Sequence, residues 1–490
     1  MDLLRQYVEE FNQNDEELYP NEISNAEVYD FLKGEIPLFE CPDEQLERTY
    51  YFRWWTFRKH IRKRAGEYVL TEFLPDVPWA GKYNTINAAV GHHLNEGRWL
   101  RNAERYLKHY YEFFLRGEGD SHRYSVWLIH AIRDFYAVRG GSPADPDFLD
   151  LLVKYYERWE AEHGLPSGMF WSIDGRDAME FSISGTKDNR MLPGVRPTLN
   201  SYMCADALAL SRYARECGNE ELAEKYEKKH AFLKEKILEL LWHEDFFKAY
   251  HFDPEAGETE SDAYAIDKTT VPRELIGYLP WCFDIPDERH DAALAHLTNE
   301  GGFRTPVGLA TAEQRDPRFL YEADHECLWN GYVWPFATSQ TLNALLARSR
   351  REGGEPYSKL FVEFLLDYSR QHVIEKDGKC LSWIDEVMHP YRREWTSRTL
   401  LEEWGWRADK GGYERGKDYN HSTFCDLVIS GIVGVTPTED GFTVTPRIPE
   451  DWTYFRLDNL SFRGELYSVI YDKDGTKYGE GTGIIIKKCK

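Results

Sequence analysis

Nowhere in its 490 residues does the chain approach the roughly 20 consecutive apolar residues a membrane-spanning helix needs, and Met1 to Glu17 lacks the apolar core of a signal peptide. A cytoplasmic setting is therefore expected. The eight cysteines (Cys41, Cys204, Cys217, Cys282, Cys327, Cys380, Cys425 and Cys489) form no C-x-x-C pair, which argues against zinc knuckles and a disulfide framework and leaves reduced thiols. The H-E-x-x-H spacing that sets two imidazoles on one helix face is also missing. His92-His93 and His325-Glu326 are the nearest approaches, so no metal and no cofactor is expected in catalysis. Basic residues are scarce, 60 against 84 acidic for a net charge of −24, and no basic stretch is longer than Arg58–Arg64. That field argues against nucleic acid and anionic lipid as partners and favours a neutral ligand. No period of 20 to 50 residues recurs, which argues against a solenoid.

Aromatic residues are abundant, 15% of the chain with 16 Trp and 31 Tyr. Sugar rings stack their apolar faces on indole and phenol while their hydroxyls take polar partners, so this excess suits a small carbohydrate as partner. Many of these rings must also serve a large core.

Apolar positions three and four apart dominate the first 435 residues and predict about twelve amphipathic helices. They fall near 45–64, 82–94, 97–116, 122–139, 146–162, 196–216, 219–242, 265–277, 287–298, 329–350, 355–373 and 418–435. Short connectors alternate with long aromatic-rich stretches at 163–195, 299–328 and 374–417. Loops of that length are functional or disordered, and these carry too much Trp, Phe and Met for disorder. The pattern predicts an all-α (α/α)6 toroid over 1–435, with long loops gathered at one mouth. After Val435, short alternating segments separated by Asp440-Gly441 and Asp474-Gly475 predict a small β-rich extension over 436–490.

Two acidic clusters lie in the long loops: Asp177-Ala178-Met179-Glu180-Phe181 and Trp383-Ile384-Asp385-Glu386. Glycosidic cleavage needs a protonated carboxyl beside the leaving oxygen and an ionised one across the sugar ring. Apolar neighbours raise a carboxyl pKa, so Glu180, between Met179 and Phe181, suits the acid and Glu386 the base, with Asp177 as rival acid. The residues alone leave open that each is an ordinary loop carboxylate.

The order of these motifs resembles inverting (α/α)6 glycoside hydrolases of families 63 and 37, the α-glucosidase and trehalase group. Ala178-Met179-Glu180-Phe181-Ser182 is similar to the trehalase stretch Gly-Trp-Asp-Phe-Ser, whose Asp is the acid. Glu386 and Pro390 match the Glu-Tyr-Tyr-Asn-Pro stretch carrying the base, and Trp329-Asn330-Gly331-Tyr332-Val333-Trp334 resembles the sugar-binding Trp-Arg-Gly-Pro-(Val/Ile)-Trp. Gly194 to Tyr202 together with Glu326 to Gly331 resembles bacterial trehalase-like hydrolases, with the family 142 arabinofuranosidases as candidate relatives. Glu for Asp at 180 and Asn for Arg at 330 imply a pocket different from that of a trehalase.

The resemblance implies an exo-acting, inverting glycosidase. Candidate sugar-binding residues are Trp54, Trp55, Trp79, Lys82, Tyr83, Asn84, Trp171, Arg196, Asn200, Tyr202, Glu326, Trp329, Asn330, Trp334 and Trp383. For Arg196, Asn200 and Tyr202 the alternative is a plain helix start capped by Thr198. Two other functions stay open: a sugar epimerase recruiting two of His92, His325, His389 and His421, and a carbohydrate-binding pseudoenzyme.

Overall fold

The computed structural model describes residues 2–142, 145–187, 190–251 and 272–489. Most of the helix expected at 265–277 lies outside them. Among the described residues no helix is long and apolar enough to cross a membrane.

Two sets of helices alternate along the chain, most of the inner ones buried on nearly every side and most of the outer ones on a single face, Leu128–Arg139 and Glu44–Phe57 being the exceptions. The inner set is Val90–Gly97, Leu128–Arg139, Pro197–Glu216, the turn Leu275–Tyr278 running into Leu279–Cys282, Pro335–Ser349, and Cys425–Leu427 running into Val428–Val433. Each packs on the next and the last packs on the first, closing a ring. The outer set is Glu44–Phe57, Ala103–Leu115, Pro146–His163, Glu220–Lys236, Glu288–Leu297 and Glu355–Gln371. The fold is an (α/α)6 toroid. Local sequence starts its outer helices: Asp43, Asp145 and Asn219 accept the N–H groups of Leu46, Phe148 and Leu222 as N-caps.

Several expected boundaries are corrected. The helix expected over 45–64 ends at Phe57, and Ile61–Arg64 pairs with Glu67–Leu70 as a hairpin. The β-branched Ile61 and the Gly66 turn, at φ +93°, favour that ending. Over 82–94 only Val90 onward is α-helical, because Tyr83 and Asn84 take left-handed backbone. The helix expected at 287–298 winds as a 3₁₀ helix over Glu288–Leu297, and 418–435 shrinks to one α turn plus a π turn. Helices Leu3–Gln13, Val28–Glu35 and Thr396–Glu403 were not expected.

The C-terminal strands Tyr454–Phe462, Glu465–Asp472 and Gly483–Lys488 form an antiparallel sheet whose fourth strand, Leu38–Glu40, comes from near the N-terminus. Val435–Thr438 and Gly441–Val444 form a separate hairpin.

Candidate active site

The loops that enter the inner helices converge on a pocket of about 460 Å³ at one mouth of the toroid. Its walls include Glu72, Phe73, Trp79, Tyr124, Glu180, the run His325-Glu326-Cys327, Trp334, Glu386, Lys410, Arg415, Tyr419 and His421. All three long loops expected to wall a site contribute.

Glu180 sits on a tightly wound segment. Ala178 and Phe181 on either side of Met179-Glu180 take left-handed backbone at φ 56° and 61°, a costly conformation held here by many ties. Asp174 accepts the N–H of Gly175 and Ser182 and the hydroxyl of Thr186, and Glu274 accepts the N–H groups of Ile183 and Ser184 at 2.8 and 3.2 Å. The Glu180 carbonyl accepts the Trp329 N–H at 3.1 Å. Burial pushes the Glu180 carboxyl up to about 8, with Asp174, Glu386 and Glu72 adding negative charge nearby. It carries its proton at neutral pH.

Glu386 is buried on the facing loop, with its N–H donated to Asp385 Oδ1 at 2.9 Å. Burial raises its carboxyl to about 7 against the opposing pull of the Arg415 guanidinium, which bonds it directly. Arg415 also reaches Glu326 at 2.9 Å, and Lys410 bonds the other Glu326 oxygen at 2.8 Å. Burial works against the charge of Glu326, but Arg415 and Lys410 hold its pKa below the ordinary value. The Cys327 thiol lies 3.9 Å from Glu386 and is pushed up by burial, so it stays protonated.

Among the described residues, His325, Glu326 and Cys327 have ligand atoms close enough to share a metal. The donors are otherwise engaged: Glu326 by two cations, and His325 Nδ1 by the Cys327 N–H at 3.0 Å. A cation there would face Arg415 and Lys410, so the set fits a metal poorly.

Asp177 is corrected as rival acid. It is buried away from the pocket lining, and its carboxylate accepts from Ser125, Ser172, Arg196 and Thr198, leaving no group to offer a substrate. Arg196 and Thr198 are thereby accounted for as partners of Asp177. Thr198 is not a cap, since the helix starts with Pro197 at its first position and no side chain caps it.

Of the sugar-binding candidates, Trp79, Glu326 and Trp334 line the pocket and the others do not. Trp54 and Trp55 are core residues, Trp55 stacking on Phe52. Lys82 pairs with Glu118 in solvent, and Tyr83 packs on Phe113. Asn84 accepts the Val77 N–H and donates to the Pro75 carbonyl, which fixes the loop bearing Trp79. Trp171 packs beside His163, Asn200 braces Phe170 through its backbone, and Tyr202 accepts from Gln340. Trp329 stacks behind Trp334 with ring centroids 4.5 Å apart, and Asn330 donates to the Tyr321 carbonyl. Trp383 lies beside Arg398.

Sequence reasoning missed Glu72, Arg415 and Tyr419, which carry no motif of their own. The only advance signal was their nearness to aromatic runs in the loops that enter the ring.

A family model for the mannosylglycerate hydrolase MGH1-like glycoside hydrolase domain matches residues 82–422, the span that holds nearly all of this pocket. The chain belongs to the MGH1-like glycoside hydrolase family. A second model, for the C-terminal domain of family 65 glycosyl hydrolases, matches residues 436–487. This MGH1-like hydrolase is similar to a solved structure described as a sialidase, at 33% identity and TM-score 0.86, covering 99% of this chain and 42% of the other. The chain thus spans less than half the length of that relative. The family 63 mannosylglycerate hydrolase of Thermus thermophilus in complex with glucose superposes with TM-score 0.50 at 12% identity, over 78% of this chain and 99% of that one. The family 78 rhamnosidase of a Bacillus species gives TM-score 0.51 at 14% identity, over 89% and 40%. These two share the fold. The family assignment favours glycosidic cleavage over the epimerase and pseudoenzyme readings. Of the histidines the epimerase needed, His325 and His421 line the pocket while His92 and His389 do not.

Proposed function

We propose that this MGH1-like hydrolase cleaves a small glycoside from its end by single displacement with inversion, Glu180 protonating the leaving oxygen and Glu386 deprotonating the attacking water. The observation that carries the reading is two carboxyls lining one pocket, of which Glu386 is paired with a guanidinium and Glu180 is not, burial raising the Glu180 carboxyl above its ordinary value. The two environments separate the acid from the base, as the chemistry requires. Arg415 favours the ionised form of Glu386, and Trp79 and Trp334 offer indole faces to a sugar ring. A pocket of about 460 Å³ suits one or two sugar units, which favours exo action. The trehalase-like motifs around Glu180 and Glu386 belong to this reading, with the toroid over 1–435 as the catalytic unit and 436–490 as its buttress. A cytoplasmic setting also belongs to it, since all eight cysteines are free thiols.

The test turns on the leaving group. An activated aryl glycoside leaves as a stable phenolate and needs little protonation, whereas a sugar leaving group must be protonated as the bond breaks. Glu180→Gln is expected to cripple hydrolysis of natural linkages while sparing aryl glycosides, and Asp177→Asn to show no such split. Equal losses on both substrate types in Glu180→Gln remove it as the acid.

A further inference from the structure

The segment 411–421, which carries Arg415, is tied to the N-terminal arm by a buried charge network that lies outside the pocket. Asp15 follows the first helix, Leu3–Gln13, and Lys59 follows the helix Glu44–Phe57. Lys59 Nζ lies 2.8 Å from Asp15 Oδ1 and 2.7 Å from Asp418 Oδ2, and Lys417 Nζ lies 3.0 Å from Asp15 Oδ1. Asn25 Nδ2 donates to the other Asp15 oxygen at 3.0 Å. The side chains of Asp15, Lys59 and Asp418 are 3%, 2% and 2% exposed. Two ammonium groups and two carboxylates taken out of water are a poor way to dock an arm for stability alone, since apolar side chains of similar volume serve as well or better. What such pairs can add is one fixed register between the parts they join.

Asp418 stands where that register bears on the pocket. Its backbone is left-handed at φ 60°, a conformation that its surroundings must hold. It is tied at three atoms: its carboxylate to Lys59, its carbonyl to His60 Nε2 at 2.6 Å, and its N–H to the Ile384 carbonyl at 3.0 Å. Ile384 precedes Glu386 by two residues, and Arg415 precedes Asp418 by three. The ties on Asp418 therefore set the spacing of the two chain segments that bring Arg415 and Glu386 into direct contact. Asp15 and Lys59 both precede residue 82, so this support lies outside the matched hydrolase domain.

We propose that Asp15, Lys59 and Asp418 are positioning residues: through them the N-terminal arm locks the segment 411–421 where its Arg415 guanidinium meets Glu386. The consequence for turnover rests on the proposed reading of Glu386 as the base. Without the Asp15 charge, Lys59 and Lys417 are left as neighbouring like charges, and their repulsion drives the arm and the segment apart.

The test is the titration of Glu386 by NMR in the full chain labelled with carbon-13 at the glutamate side-chain carboxyls, its resonance assigned by loss in Glu386→Gln. Glu386 is faced by the Arg415 guanidinium, by the carboxyls of Asp385, Glu326 and Glu180, and by the Cys327 thiol. Loosening that guanidinium takes a counter-charge from the carboxylate and raises its pKa. In Asp15→Asn the titration is expected to move up by about one pH unit, and the acid limb of the kcat/KM profile to move with it. kcat should fall ~10- to 100-fold with KM nearly kept, the scale of a small misplacement at the reacting centre. Asp15→Glu, which keeps the charge, should recover most of the loss. Should Asp15→Asn fail to fold, Lys417→Gln, which cuts the more exposed tie, carries the same expectation in the same direction. A network that only stabilises the fold would lower the melting temperature and leave titration and profile in place; an unmoved Glu386 titration in a folded variant thus overturns the proposal. Near-normal turnover in Glu386→Gln removes Glu386 as the base, while a titration that moves in Asp15→Asn still upholds the positioning of Arg415, so the two readings fail separately.

Discussion

On the proposed reading, Glu386 and Glu180 are one residue type given two tasks by its surroundings. Both are glutamates desolvated in one pocket, but only Glu386 has a guanidinium against it. The consequence is testable at Glu386. Glu386→Gln keeps the shape of the side chain and leaves Arg415 paired to Glu326, so turnover is expected to fall by roughly 10²–10⁴ with substrate affinity largely kept. Single-turnover kinetics beside a binding titration separates the two quantities, and near-normal turnover would reject Glu386 as the base. Asp177 makes the converse point: a carboxylate in the right stretch of sequence is consumed by four donors from its own fold. Its partners Ser125, Arg196 and Thr198 are distant in sequence, so neither spacing nor neighbouring residues revealed that fate.

At the scale of elements, the site depends on a close approach between the loop bearing Glu386 and the segment Gly411–His421. A Cβ on Gly416 would lie 1.9 Å from Asp385 Oδ1, the atom that accepts the Glu386 N–H. Gly416→Ala must push these segments apart, at a cost of roughly 1–3 kcal/mol of stability for overpacking, and so loosen Arg415 from Glu386. A lower melting temperature together with a drop in kcat is expected; an unchanged variant contradicts this view of the contact. The helical periodicity that predicts the toroid was legible because each inner and outer helix needs an apolar face, whichever loops connect them. What could not be read were elements defined by distant partners. Leu38–Glu40 becomes a strand only because Arg456–Asp458 offers an edge, and the buried Leu4, Val8 and Phe11 gave too short a pattern to mark the first helix. Much the same applies to the site: Glu180 and Glu386 were legible from motifs, whereas most of the tryptophans picked for stacking went to the core. An indole in the sequence looks the same in either place.

Over the whole molecule, the ring of helices gathers carboxylates from separate loops in one pocket, and on the proposed reading their burial, opposed at Glu386 by Arg415, sets the working pH. The base acts when ionised, so activity rises as pH climbs through the Glu386 value of about 7; the acid acts when protonated, so activity falls as pH climbs through the Glu180 value of about 8. The pH profile of kcat/KM is expected to be a narrow bell with its maximum between these values, and a profile still flat well above pH 9 would contradict the protonated role of Glu180. The most direct test of the central claim, single displacement between Glu180 and Glu386, is the anomer first released. Proton NMR during hydrolysis of the fastest substrate from a panel of aryl glycosides and disaccharides, read before mutarotation, should show the anomer opposite to that of the substrate. Initial release of the same anomer would mean a covalent intermediate and contradict the account.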